Sequence, residues 1–168
     1  MTLRLILLRH AKSSWDDHID EDHDRVLNDR GRRSCDAIGP WLAGHGYVPD
    51  EVLCSTSLRT RETWDRLSAH LPGTPQPTLL SELYLADTHT LFNVLSEAAG
   101  KCVALIAHNP GIGSFAARLL NARPAHPQFG RFPTLATLVA DFDLPAWSDL
   151  APHMGHARDF IVPRELID

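Results

Sequence analysis

The run Leu3 to Leu8 is apolar at every position except Arg4 and stops abruptly on Arg9 and His10. Leu3, Leu5, Ile6, Leu7 and Leu8 read as a strand buried on both faces, as in a parallel sheet. In open α/β sheets ligands collect beyond the carboxyl ends of such strands, so Arg9 and His10 stand where chemistry is expected. The plain alternative is a capped strand end with two solvated residues.

The rest of the chain repeats the pattern. Cys102 to Ala107 (CVALIA) is a second fully apolar run and also leads directly into a histidine, His108. Between the two runs, helical and extended patterns alternate. Asn28 to Gly46 reads as a helix with Ile38, Trp41 and Leu42 on one stripe, and Pro40 predicts a kink or break near Gly39. Glu51 to Cys54 reads as a short strand, with an N-cap offered within Ser55 to Ser57. The next helix carries Trp64, Leu67 and Leu71 and ends before Pro72-Gly73. Leu79-Leu80 reads as a third strand with Glu82 and Tyr84 just past it. Thr88 to Ala99 reads as an amphipathic helix through Leu91, Phe92 and Leu95.

After His108, Ile112, Phe115, Leu119 and Leu120 mark another helix. Residues 122–134 form a proline-rich loop, Leu135 to Phe142 a last apolar strand, and Asp159 to Val162 an edge strand. Strands alternating with helices give an α/β fold with a mostly parallel sheet. The 168 residues fit one domain, 1–168, with room for a proper core.

Charge and composition narrow the function. The formal net charge of −5 argues against a general nucleic-acid binder while allowing a local basic pocket. The first apolar run is too short for a signal-peptide core or a membrane span, and no other segment could cross a bilayer. Cytoplasmic localisation is expected. Cys35, Cys54 and Cys102 are odd in number and lack CxxC spacing, so neither a disulfide framework nor a zinc knuckle is suggested.

Parallel strands bring the ends of 3–8 and 102–107 to one edge of the sheet. Arg59, in the first turn of the helix leaving the second strand, arrives at the same edge, although a cation is unfavourable beside the positive end of a helix dipole. That edge gathers Arg9, His10, Arg59 and His108. Two guanidinium groups can hold phosphate oxygens through paired charge-assisted hydrogen bonds, and an imidazole among them can attack phosphorus.

Arg9-His10-Ala11 resembles the Arg-His-Gly signature of the histidine phosphatase superfamily, which includes the cofactor-dependent phosphoglycerate mutases. Ser55 to Thr63 (STSLRTRET) resembles its Ser-x-x-x-Arg-x-x-x-Thr segment, and Ala107-His108-Asn109-Pro110 its second histidine. RHAKSSW, DRVLNDRGR and the lack of an inserted helical cap look most like the small SixA-type phosphohistidine phosphatases. The resemblance implies a phosphoglycerate mutase-like, three-layer αβα domain. It implies His10 as nucleophile and transient phosphohistidine, with Arg9, Arg59 and His108 binding the phosphoryl group. Glu82 is implied as the acid that protonates the leaving group, with Asp16 and Asp24 in reserve, and Arg25 as an additional substrate-binding cation. No metal or other cofactor is expected.

Two positions depart from the family pattern. Ala11 replaces the usual glycine and cannot readily adopt a positive φ. Asp16 stands where mutase relatives carry an asparagine that touches phosphate, and an acid there would repel one. A phosphorylated protein carrying phosphohistidine is therefore the expected partner. A small phosphomonoester or phosphoramidate substrate, or a non-catalytic phosphohistidine-binding adaptor, is the alternative.

Two rival chemistries find partial support in the sequence. Cys54 and Arg59 imitate a cysteine-phosphatase loop but are separated by four residues instead of five. Asp16, Asp17, His18, Asp20, Asp22, His23 and Asp24 could form a metal module, though a solvated acidic loop within residues 13–25 is the simpler reading.

Overall fold

The computed structural model describes residues 2–15 and 21–167. In chain order the elements are β1 (Thr2–Arg9), α1 (Asp29–Gly44), β2 (Glu51–Ser55), α2 (Leu58–Ser68) and β3 (Thr78–Leu80). They continue with α3 (Thr88–Ser96), β4 (Cys102–Ala107), α4 (Gly111–Leu119), β5 (Thr137–Asp143) and β6 (His156–Ile161). The strands form one sheet in the order β3-β2-β4-β1-β5-β6. β1, β2, β3 and β4 are mutually parallel, whereas β5 runs antiparallel to both β1 and β6.

The double-sided burial of β1 explains the layering. Leu3, Leu5 and Leu7 join one apolar cluster with Leu91 and Leu95 of α3 and Ile112 and Phe115 of α4. Ile6 and Leu8 join the other, with Ile38 and Leu42 of α1 and Trp64 and Leu67 of α2. Because strand side chains alternate between faces, a central strand must be apolar on both faces wherever helices cover it; Arg4, near the start of β1, pairs with Asp141 of β5 instead. The result is the expected three-layer αβα architecture.

Several element boundaries differ from the sequence pattern. The kink or break expected near Gly39 does not form, and α1 runs unbroken with Pro40 inside it. Pro40 and Asp36, whose carbonyl loses its helical partner, both lie on the exposed stripe, where water can replace the missing bond. Gly39 instead answers to packing, because a Cβ there would come within 2.5 Å of the His70 ring. Helix α2 ends at Ser68 and α3 at Ser96, earlier than their apolar stripes suggest. Leu71 is nevertheless buried, in the turn beyond α2. Among the described residues, no helix is long and apolar enough to cross a membrane.

The register of the two central strands positions the site. Arg9 pairs with Ala107, so the next residue on each strand, His10 and His108, sits beside the other beyond the sheet edge. Their ring centroids are 5.3 Å apart.

Candidate active site

A pocket of about 350 Å³ opens at this edge, and Arg9, His10, Arg25, Arg59 and His108 all line it. β1 delivers Arg9 and His10, β4 delivers His108, and the first turn of α2 delivers Arg59. The Ser57 side chain caps α2 by accepting from the Thr60 amide. Thr63 Oγ1 then donates to the Arg59 carbonyl at 2.7 Å and accepts from the Ala11 amide at 2.9 Å. This tie fixes the strand exit against the helix that carries the arginine. Ala11 is buried and is absent from the positive-φ residues, so alanine fits without backbone strain.

The imidazoles have defined proton positions. His10 Nδ1 lies 2.7 Å from the Ala11 carbonyl, which can only accept, so Nδ1 carries the proton. Nε2 is left with its lone pair, and Arg59 Nε donates toward it at 3.4 Å. His108 Nδ1 accepts from Arg59 Nη2 at 3.4 Å, leaving Nε2–H to donate to Ser55 Oγ at 2.8 Å. Burial, reinforced for His10 by His108, Arg59 and Arg9, pushes His10 down to about 3 even though the Ala11 bond opposes it. Burial and then Arg59 push His108 down to about 3. Both rings are neutral at neutral pH. A neutral imidazole with an exposed lone pair is a nucleophile.

Of the pocket arginines, Arg9 is the least fully bonded. Burial and the nearby Arg59 charge lower the Arg9 pKa. Arg9 Nη1 donates to the Phe132 carbonyl at 3.2 Å, and its buried Nε has no partner among the described residues. Phe132 presents that carbonyl from a left-handed conformation, φ 46°, which disfavours a bulky side chain. An orphaned guanidinium N–H beside a second buried arginine suits a phosphoryl oxygen.

The pocket also holds Asp22, a carboxylate that the sequence pattern assigned only to the suggested metal module. Asp22 Oδ2 accepts from Arg59 Nη2 at 3.1 Å, Asp22 Oδ1 accepts from Arg25 Nε at 3.1 Å, and Tyr84 donates its hydroxyl to Oδ2. Partial burial alone would raise the Asp22 pKa, but bonds from Tyr84, Arg59 and Arg25 hold it at about 2. Arg25 is anchored further by Ser13 Oγ at 2.6 Å and lies over the exposed Trp15 ring. The signal for Asp22 was its position three residues before Arg25, in the short 3₁₀ turn Asp22–Asp24.

Glu82 does not reach this pocket. The 3₁₀ turn Ser81–Leu83 follows the three-residue β3 directly, burying Leu83 and leaving Glu82 exposed. Glu82 lines a separate groove with Glu51 and Glu97, while Tyr84, two residues on, contacts Asp22. Asp24 is exposed outside the pocket, and Asp16 lies outside the described residues, as do Asp17, His18 and Asp20 of the suggested metal module. Among the described residues, no cluster of histidine, cysteine and carboxylate side chains has metal-binding geometry. Cys54 is fully buried, and burial pushes its thiol up to about 12, which removes it as a nucleophile.

Comparison with known proteins places these features in context. Residues 5–84 match the family described as histidine phosphatase superfamily (branch 1). An uncharacterized protein of Mycobacterium leprae is 32% identical over 168 residues, spanning 94% of this chain and 100% of its own length. An uncharacterized chloroplastic protein of Arabidopsis thaliana is 44% identical over 70 residues, spanning 42% of this chain and 32% of its own. The solved structure of a candidate phosphohistidine phosphatase SixA from Nakamurella multipartitia superposes with a TM-score of 0.81 and 26% identity, covering 97% of each chain.

Proposed function

The chain belongs to the histidine phosphatase superfamily and is a phosphatase of SixA type; from that premise we propose that it removes the phosphoryl group of phosphohistidine through a covalent intermediate on His10. The observation that carries this reading is the neutral His10 ring, whose proton is held on Nδ1 while Nε2 faces Arg59.

In the first step the His10 Nε2 lone pair attacks phosphorus, a new N–P bond forms, and the bond from phosphorus to the leaving group breaks. Arg9 and Arg59 neutralise the oxygens of the transferring group, and His108 adds a hydrogen-bonding partner. In the second step water attacks phosphorus, the His10 N–P bond breaks, and Nε2 regains its lone pair. Asp22, ionised in the pocket, is positioned to accept the proton that this water loses.

The carboxylate set favours a phosphohistidine substrate. A leaving imidazole titrates near 6.5 and takes a proton from solvent at neutral pH. An aliphatic alkoxide leaves only with a strong donor, and Asp22, held at about 2, is not one. On this reading residues 1–168 act as a single domain, in the cytoplasm, on a phosphorylated protein. Three free cysteines are compatible with a reducing compartment.

The test is a panel of a phosphohistidine peptide, phosphoramidate and p-nitrophenyl phosphate, assayed with wild type and His10→Ala. Wild type should trap an acid-labile, base-stable phosphoryl label that His10→Ala lacks. If His10→Ala hydrolyses every substrate at the wild-type rate, the nucleophile assignment fails.

A further inference from the structure

A second concave site adjoins the first. Its volume is about 310 Å³, and Lys12 and Thr134 line both it and the catalytic pocket. Four separate chain segments build it. Lys12 follows β1, Arg30 and Ser34 lie one turn apart on α1, Gln128 and Arg131 come from the segment before β5, and Arg164 comes from the turn after β6.

The charge pattern of this groove is distinctive. Four basic side chains, Lys12, Arg30, Arg131 and Arg164, line it, and no acidic residue does. Arg4, Arg25, Arg32, Arg59 and Arg66 are each paired with a carboxylate. The four groove side chains make no ion pair or hydrogen bond among the described residues. Such a concentration is not a consequence of composition, because the chain as a whole carries a net charge of −5. Four like charges around one concavity repel one another, and that repulsion is relieved by an anion. Ser34 and Gln128 add neutral hydrogen-bond donors.

We propose that this groove is a subsite for a second anionic group, phosphate or carboxylate, carried by the same substrate whose phosphoryl group enters the catalytic pocket. The proposal rests on the phosphatase reading for its kinetics but not for its binding. It makes the enzyme selective for substrates with a negative charge on the Lys12 side of the scissile bond. Two sources have this chemistry: an acidic side chain near the phosphohistidine of a protein, and the distal phosphate of a small bisphosphate.

The kinetic test compares Arg131→Ala/Arg164→Ala with wild type at low salt. Both side chains are exposed, and the bond that Arg131 makes with Asn109 uses its backbone carbonyl. Substrates are phosphohistidine peptides flanked by glutamate or by alanine, a small bisphosphate with its monophosphate counterpart, and phosphoramidate. Wild type should prefer the doubly anionic member of at least one pair by about tenfold in kcat/KM, as expected for one charge-assisted contact. The double variant should lose that preference while hydrolysing phosphoramidate normally, and Arg131→Lys/Arg164→Lys should restore much of it. The pair with the larger ratio identifies the source.

Preference retained in the alanine variant, or phosphoramidate turnover lost in parallel with it, overturns the subsite. A binding measurement separates this from failure of the phosphatase reading. Inorganic pyrophosphate titrated into His10→Ala should give saturable shifts of the Arg131 and Arg164 side-chain resonances that fade as sodium chloride rises. Shifts confined to Arg59, or none at all, also overturn it.

Discussion

Arg59 bridges two imidazoles: its Nε points at His10 Nε2 and its Nη2 at His108 Nδ1, each at 3.4 Å. One planar guanidinium thus spans the ends of two strands, and a lysine cannot reproduce this. Its ammonium is a compact point charge that reaches one ring or the other.

Arg59→Lys should therefore lower kcat severely, by about 10³-fold, the lower end for losing a charge clamp on a transferring phosphoryl group. Far-ultraviolet circular dichroism should be unchanged. A loss below tenfold would show that the fork geometry is dispensable.

The depressed histidines link stability to pH. His10 and His108 are each pushed down to about 3 in the folded protein, against roughly 6.5 when unfolded. Below about 6.5 the unfolded chain binds protons that the folded chain refuses, so their stabilising contribution is full above 6.5. It is lost progressively as pH falls toward 3. Urea unfolding should show falling stability between pH 7 and 5, where most carboxylates remain ionised, and His108→Asn should flatten the slope. A level wild-type profile over that interval contradicts the neutral assignment.

Asp22 occupies two of the guanidinium groups that line the pocket, Arg25 and Arg59. Asp22→Asn should bind inorganic phosphate more tightly, by about tenfold, since a charged competitor becomes a neutral one. Its turnover should nevertheless fall, because the water of the second step loses its acceptor. Calorimetric titration and steady-state kinetics would separate these effects. Weaker phosphate binding by the variant would refute the competition.

Glu82→Gln should keep kcat within about twofold of wild type, as surface substitutions away from a site generally do. The side chain sits in the groove with Glu51 and Glu97, outside the histidine pocket. A large loss of activity would restore Glu82 to the proton-transfer step.

Strands buried on both faces were the most readable part of the chain. The apolar runs at 3–8, broken only by Arg4, and at 102–107 admit one environment, and the histidines at their ends follow from parallel pairing. Arg59 was readable through its helix turn. Glu82 was misleading because sequence distance past a strand does not say which way a 3₁₀ turn directs a side chain. Here Leu83 claimed the inward position. Asp22 was read only as part of a metal module because its place in the pocket comes from Arg59, 37 residues away, and Tyr84, 62 away, pairings that no local pattern encodes. The unbroken α1 shows a buried stripe overriding a proline, because Ile38 and Leu42 on either side of it are fully buried.

The bond from His10 Nδ1 to the Ala11 carbonyl has a regiochemical consequence. With that nitrogen blocked by its own backbone, a phosphoryl group arriving in the pocket can be attached only at the distal ring position. Of the two isomeric phosphoimidazoles open to a free histidine, the proposed mechanism yields one. Phosphorus–nitrogen coupling in an isotopically labelled, trapped intermediate would identify it.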